Sequence, residues 1–217
     1  MDKNSAINIH LTLNYVESND GFVYFSTLCG ALKDARNMTG RNIETGVKDN
    51  SNKFGYLGNW LGAMGYITIL DQIGKCYRPS TTSPIEKTKS PIIKALKYFT
   101  KLSDDQIDAL YSLRNAFFHD YSLINKDNPK RMHQFIVDNH PTNPVVVLPK
   151  ISWDGELNNR NDKNATYVNL QALGDLVESI YDKLLTMAKE NNLEIQLDGK
   201  EDELVSRYLV ATPKSNK

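Results

Sequence analysis

Apolar positions recur along this chain with changing period, and each change marks an element. Residues 7 to 15, INIHLTLNY, alternate apolar and polar side chains and predict a short strand. Asn19-Asp20-Gly21 signals a turn. Phe22, Phe25, Leu28, Leu32 and Ala35 then recur at helical spacing. A polar stretch from about residue 37 to 53 has no period and predicts a loop. Between Lys53 and Asp71 runs FGYLGNWLGAMGYITIL, 17 residues without a charge. A membrane-spanning helix needs about 20 such residues, and roughly 17 is the lower limit. Four glycines and Asn59 dilute the run, and Gly58 and Gly62 have the spacing of close helix contact. It predicts a buried helix, ending near Gly74, on which another helix or a second subunit approaches closely.

Arg78-Pro79 through Ser83-Pro84 is a linker rich in Ser, Thr and Pro. Ser90-Pro91 sets a capping residue before a proline at the first helical position. The helix it starts, Pro91 to about Lys101, carries Ile92, Ile93, Leu96 and Phe99 on its apolar side. Ser103-Asp104-Asp105-Gln106 has capping-box spacing and launches the next helix. That helix holds Ile107, Leu110, Leu113, Phe117 and Tyr121, and should fray before Asn125 to Lys130. MHQFIVD, PVVVLPKISW and ATYVNL are then β-prone, separated by residues 139 to 144 and by an Asn-rich loop, 154 to 164. They predict a small antiparallel sheet inserted at about residues 131 to 170. A long amphipathic helix follows, with Leu173, Leu176, Val177, Ile180, Leu184 and Met187 on one face. LEIQL then reads as a strand, and ELVSRYLV as a short strand or helix.

Charge and cysteine content narrow the partners. Twenty-six basic residues balance 26 acidic ones, so no global field draws the chain to a polyanion or membrane. Any such partner must be held by a local patch. Cys29 and Cys76 lie far apart and read as reduced thiols of a cytoplasmic protein. The start, MDKNSAINIHL, lacks the cationic and apolar regions of a signal peptide.

The candidate chemistry lies at Arg114-Asn115-Ala116-Phe117-Phe118-His119. On a wheel of about 100° per residue, Leu110, Leu113, Phe117 and Tyr121 form the buried stripe. Asn115 and His119 fall on the opposite, polar side, while Arg114 lies at the stripe's edge with Phe118 beside it. Arg114 and His119 are about 140° apart on an ideal helix. Both reach one ligand only if Arg114 curls over the edge, the helix bends, or a second helix completes the site. The plain alternative is an exposed His119, with Arg114 in a salt bridge to a carboxylate such as Asp120.

Arg114-Asn115-x-x-x-His119, within LYSLRNAFFHDYSL, resembles the signature of the HEPN superfamily. In that family an arginine, a polar residue after it and a histidine, with four to six residues separating arginine from histidine, ride a late helix of a helical domain. The resemblance covers about residues 54 to 125 and the long helix from about 170 to 191. It implies a mainly α fold, a HEPN-like helical bundle with a small antiparallel β insertion, spanning 54–217 behind an N-terminal segment 1–53. It also implies a metal-independent endoribonuclease without cofactor, with Arg114, Asn115 and His119 catalytic. Two subunits would pair so that two motifs face each other. The implied role is a toxin or abortive-infection effector of antiviral defence, partnered by an antitoxin or regulatory protein.

The residue types suit that chemistry. An RNA 2′-hydroxyl can attack its own phosphodiester if protons are moved and the phosphoryl oxygens are stabilised. Histidine titrates near neutrality and exchanges protons; arginine offers a forked, permanent charge to phosphate oxygens. Asn115 can orient the imidazole or hold an oxygen. DNA, lacking the 2′-hydroxyl, should resist. The resemblance implies 2′,3′-cyclic phosphate and 5′-hydroxyl products. From Lys87 to Lys101 stand five lysines and no acid, and Lys94, Lys97 and Lys101 suggest a phosphate-tracking stripe that Lys126 and Lys130 extend. An ordinary solvated face would look the same. Phe118 is the candidate for base stacking. His133 can approach the site, whereas His10 and His140 read as structural or exposed. Two other functions compete: a non-catalytic HEPN-like module binding RNA, a nucleotide or a protein, and a helical dimerisation module working through its β-rich insert.

Overall fold

The computed structural model of the chain describes residues 1–19, 21–48, 60–126, 132–138 and 142–214. The chain opens on helix α1 (Lys3–His10), not on a strand. Asp2 caps it by accepting from the Ser5 amide, and Ala6, Ile7, Ile9 and His10 are buried. Ile7 and Leu11 satisfy a period of four as well as of two, so the cap decides between them. Strands β1 (Val16–Glu17) and β2 (Phe22–Ser26) form a hairpin, and the Ser26 side chain then caps α2 (Thr27–Met38). The helical spacing that starts at Phe22 therefore straddles a strand–helix junction.

The uncharged run becomes α3 (Trp60–Cys76), packed between α2 and α4 (Pro91–Phe99). A Cβ on Gly62 would strike Thr39, and one on Gly74 would strike the Pro91 carbonyl. The close approach foreseen for this helix is thus made by helices of the same chain; Gly58 and Asn59 lie outside the described residues. Among the described residues no helix is long and apolar enough to cross a membrane. α5 (Asp104–Asn115) starts on the expected capping box, with both Ser103 and Gln106 bonds made. It then widens into one π-helical turn, Ala116–Asp120.

Strands appear well beyond the insert, and they overturn the mainly α, helical-bundle expectation. β3 (Tyr77–Pro79), in the supposed linker, pairs antiparallel with β8 (Leu193–Ile195). α7 (Lys200–Tyr208) runs into β9 (Leu209–Pro213), which pairs antiparallel with β2, Phe22 opposite Pro213. The third sheet holds β4 (Ile124–Asn125), β5 (His133–Asp138), β6 (Val146–Val147) and β7 (Thr166–Asn169), in the order β4-β5-β7-β6. It is mixed rather than antiparallel: β7 inserts between β5 and β6 and runs parallel to β5, Phe135 opposite Thr166. Seven α-helices with nine strands in three sheets make this a mixed α/β chain among the described residues.

α6 (Leu170–Lys189) lays the face carrying Leu173, Val177, Ile180 and Leu184 into the core. Ile67, Ile69, Leu70 and Ile73 of α3 meet it there, as do Ile7, Leu11, Leu28 and Leu32 from the first helices. The N-terminal segment and the later elements therefore bury one common set of apolar side chains, each worth about 1.5–3 kcal/mol when fully removed from water.

Candidate functional site

Two local features single out the turn that carries His119. The π-helical turn bonds residues five apart, which closes part of the angular gap an α-helix would leave between Arg114 and His119. The widened turn departs from the ideal helix on which the 140° separation was drawn. Tyr121 then ends the turn in the left-handed region, φ 48°, a strained conformation for a bulky side chain. Its amide donates to Ala116 and Phe117, and Ser122 also donates to Ala116, so the end of the helix is tied off. π-turns and such strain both concentrate at working sites.

Arg114 is braced from α3. Its Nε donates to Asp71 Oδ2 at 3.0 Å, and the pair is partly buried, 29% and 22% exposed. The other Asp71 oxygen accepts the Ile92 amide at 3.2 Å, in the first turn of α4, where Ser90 makes no side-chain cap. One carboxylate thus caps a helix and aims a guanidinium. Arg114 Nη1 donates to Asn115 Oδ1 at 3.3 Å, which turns the Asn115 NH2 group away as a free donor direction. The guanidinium also sits over the Phe118 ring, 5.3 Å from its centre. Of its five N–H donors, two meet described residues, leaving Nη2 open. His119 is exposed and has no hydrogen-bond or ion-pair partner among the described residues. Trp60 packs on the buried Phe117 (5.3 Å between centres) and on Tyr121 (6.1 Å), two residues past His119.

The described lysines of the expected stripe lie in different settings. Lys97 is ion-paired to Asp104 at 2.9 Å, and Lys101 lies past the end of α4. Lys126 lies over the Trp153 ring at 5.4 Å, in the insert. Lys94 joins a separate pocket with Lys75 and Lys87. Lys130 falls outside the described residues, as does His140. His133 is turned to Thr166 (2.8 Å) and stacks on Phe135, and burial lowers its pKa. No three His, Cys, Asp or Glu side chains gather into a possible metal site among the described residues.

Elsewhere buried polar groups are paired, apart from Arg41 Nε, which has no hydrogen-bond partner among the described residues. Arg36 of α2 grips Glu178 of α6 through Nε (3.0 Å) and Nη2 (2.7 Å), and its Nη1 donates to the Ile43 and Glu44 carbonyls. Burial alone would depress Arg36; the hydrogen bonds and charge of Glu178 outweigh it and hold the guanidinium charged. Tyr66 donates to the same carboxylate, and Arg41 and Lys48 both reach Asp175. These contacts clasp the loop after α2 onto α6. His10 is fully buried. Gln72 Nε2 donates to its Nε2 (3.0 Å), so Nδ1 carries the proton toward the Tyr77 hydroxyl (2.7 Å).

Compared with protein-family models, curated proteins and solved structures, the chain matches none. The turn at residues 114 to 121 therefore stands on its own geometry. Sequence reasoning missed Asp71 as the arginine's partner and Trp60 as the ring packed on Phe117 and Tyr121, and it set Tyr121 in the buried stripe where the structure leaves it 58% exposed. Asp71 left one signal: it is the first charge after 17 uncharged positions, and a carboxylate there needs a cation.

Proposed function

We propose that this chain is a metal-independent endoribonuclease whose motif is of HEPN type, cutting RNA by attack of the 2′-hydroxyl on the adjacent phosphate. The observation that carries it is the π-helical turn, whose wider winding reduces the angle between Arg114, aimed by Asp71, and an exposed His119 that has no partner among the described residues. Arg114 Nη2 and the Asn115 amide would hold the non-bridging phosphate oxygens as negative charge grows on them. As the 2′-oxygen bonds to phosphorus and the bond to the 5′-oxygen breaks, one proton leaves the 2′-hydroxyl and one reaches the 5′-oxygen. His119 serves one of these transfers, and the His119 of a second copy across a homodimer serves the other. Phe118, Tyr121 and Trp60 offer faces for an unstacked base. A cytoplasmic toxin or abortive-infection effector, restrained by an antitoxin, is the setting that the family likeness suggests. The likeness is kept here for the motif alone, since the three sheets overturn the helical-bundle expectation.

The Arg114–Asp71 pair also favours a second reading, a non-catalytic RNA-binding module in which the arginine is mainly structural. Incubating purified protein with RNA in excess EDTA separates the two. Cleavage should persist in EDTA, give 2′,3′-cyclic phosphate ends, spare DNA, and fall at least about 10²-fold in His119→Ala and Arg114→Ala. Undiminished cleavage in His119→Ala would sink the nuclease proposal; binding without cutting would favour the module.

A further inference from the structure

A pocket of about 100 Å³ lies where the end of α3, the start of α4 and the chain after β8 meet. Lys75, Lys87 and Lys94 line it, with Gln196, Asp198 and Glu203. Its carboxylates are already engaged. Asp198 pairs with Lys87 at 2.5 Å, a contact that is 83% and 80% exposed and so exchanges readily. Glu203 accepts from the Gly199 amide (2.9 Å) and from Arg207 (2.7 Å). Lys75 and Lys94 are left with no carboxylate within ion-pair distance among the described residues. Among the described residues, Lys94 Nζ meets the Lys87 carbonyl, at 3.5 Å. Burial, then the charges of Lys75 and Lys87, lower its pKa, the signature of a cation facing cations without a counter-ion. The space is well below the ~300 Å³ where sites for drug-sized ligands begin, and suits one small oxyanion.

The pocket is also placed beside the motif's brace. Lys75 follows Asp71 by one turn of α3, about 6 Å of rise, and Asp71 holds both Arg114 and the first turn of α4. We propose that Lys75, Lys87 and Lys94 form a subsite for a single phosphate group, that of the RNA backbone next along the strand held at Arg114. The strand's direction rests on the proposed nuclease site; the phosphate pocket itself does not.

Full-length His119→Ala protein, which would bind without cutting, is the reference for the test. A fluorescein-labelled single-stranded RNA 12-mer is titrated by anisotropy between 50 and 200 mM salt, with and without Lys75→Gln/Lys94→Gln. The double change should weaken binding about tenfold at low salt and reduce the slope of log K against log salt by about 0.7 for each phosphate no longer neutralised. Lys87→Gln, at an exposed position, should move both in the same direction, and thermal melts confirm that the variants fold. An unchanged affinity and slope in both variants overturns the subsite. Inorganic phosphate and adenosine monophosphate, followed by NMR of the lysine side chains, form a second arm. Lysine-dependent binding of those small anions with an unaltered RNA slope overturns the assignment to the RNA backbone in favour of a free phosphate. If wild-type protein never cleaves RNA yet binds it through these lysines, the nuclease proposal fails and the subsite stands. If cleavage is real and the lysine variants bind unchanged, the reverse holds.

Discussion

Two arginines and two histidines of this chain are treated in opposite ways. Arg36 is closed: 3% exposed, bidentate to a Glu178 that is 13% exposed, its remaining contacts made by carbonyls. Arg114 touches its carboxylate through one nitrogen and keeps donors open toward solvent. His10 has both ring nitrogens occupied inside the core, while His119 has neither occupied among the described residues. The same side chains thus act as fasteners in one region and keep groups unpaired among the described residues in the other. Saturation, more than residue type or burial, separates the two uses.

The sharpest way to break this contrast is to remove each arginine in turn. Arg36→Ala strands a buried carboxylate and should cost about 3–5 kcal/mol by urea denaturation. Arg114→Ala, at a partly exposed pair, should cost about 1 kcal/mol. Equal losses would abolish the distinction. A smaller effect comes from the closed histidine. Burial pushes His10 down to about 3, whereas in the unfolded chain it titrates near ~6.5. Between those values the unfolded chain takes up a proton that the folded chain refuses. Stability is therefore complete above about pH 6.5 and is lost as pH falls, by up to about 1.4 kcal/mol per unit. His10→Gln should flatten the dependence between pH 6 and 4.5, and an unaltered slope would remove His10 as its source. The smallest expected effect is at Asp71→Asn. The amide oxygen can still accept from Ile92 or Arg114, so unfolding should shift by less than about 1 kcal/mol through the weakened cap. RNA cleavage should drop only about tenfold as Arg114 loses its charged brace. A loss as deep as that of Arg114→Ala would mean that Asp71 acts on the substrate directly.

Much of the helical framework was legible because its signals are local. Ser90-Pro91, the Ser103–Gln106 box and the stripe from Leu173 to Met187 each act within a few turns, and α4, α5 and α6 follow them. The missed strands depend on remote partners. Tyr77–Pro79 carries no strand signal of its own and becomes one because Leu193–Ile195 lies alongside. The period at 7 to 15 failed for a different reason, since a short run satisfies two periods and Asp2 broke the tie. At the site, the hexapeptide and the 140° difficulty were readable. The widened turn was not, since it comes with an αL end at Tyr121 and with contacts of Phe117 and Tyr121 to Trp60, far back in the chain.

The pairing of Phe22 with Pro213 bears on when the fold is completed. Residues so distant in sequence meet slowly, because the closing of a long loop must precede any reward from contact. During synthesis at about 5–20 residues per second, the turn at Ala116–Asp120 leaves the ribosome roughly 5–20 s before β9 does. In the first part of that interval α6 has not been made, and α3 has α2 and α4 but not α6 to pack on. Until β9 is made, β2 has only β1 beside it, so the first sheet is completed by the last of the described strands.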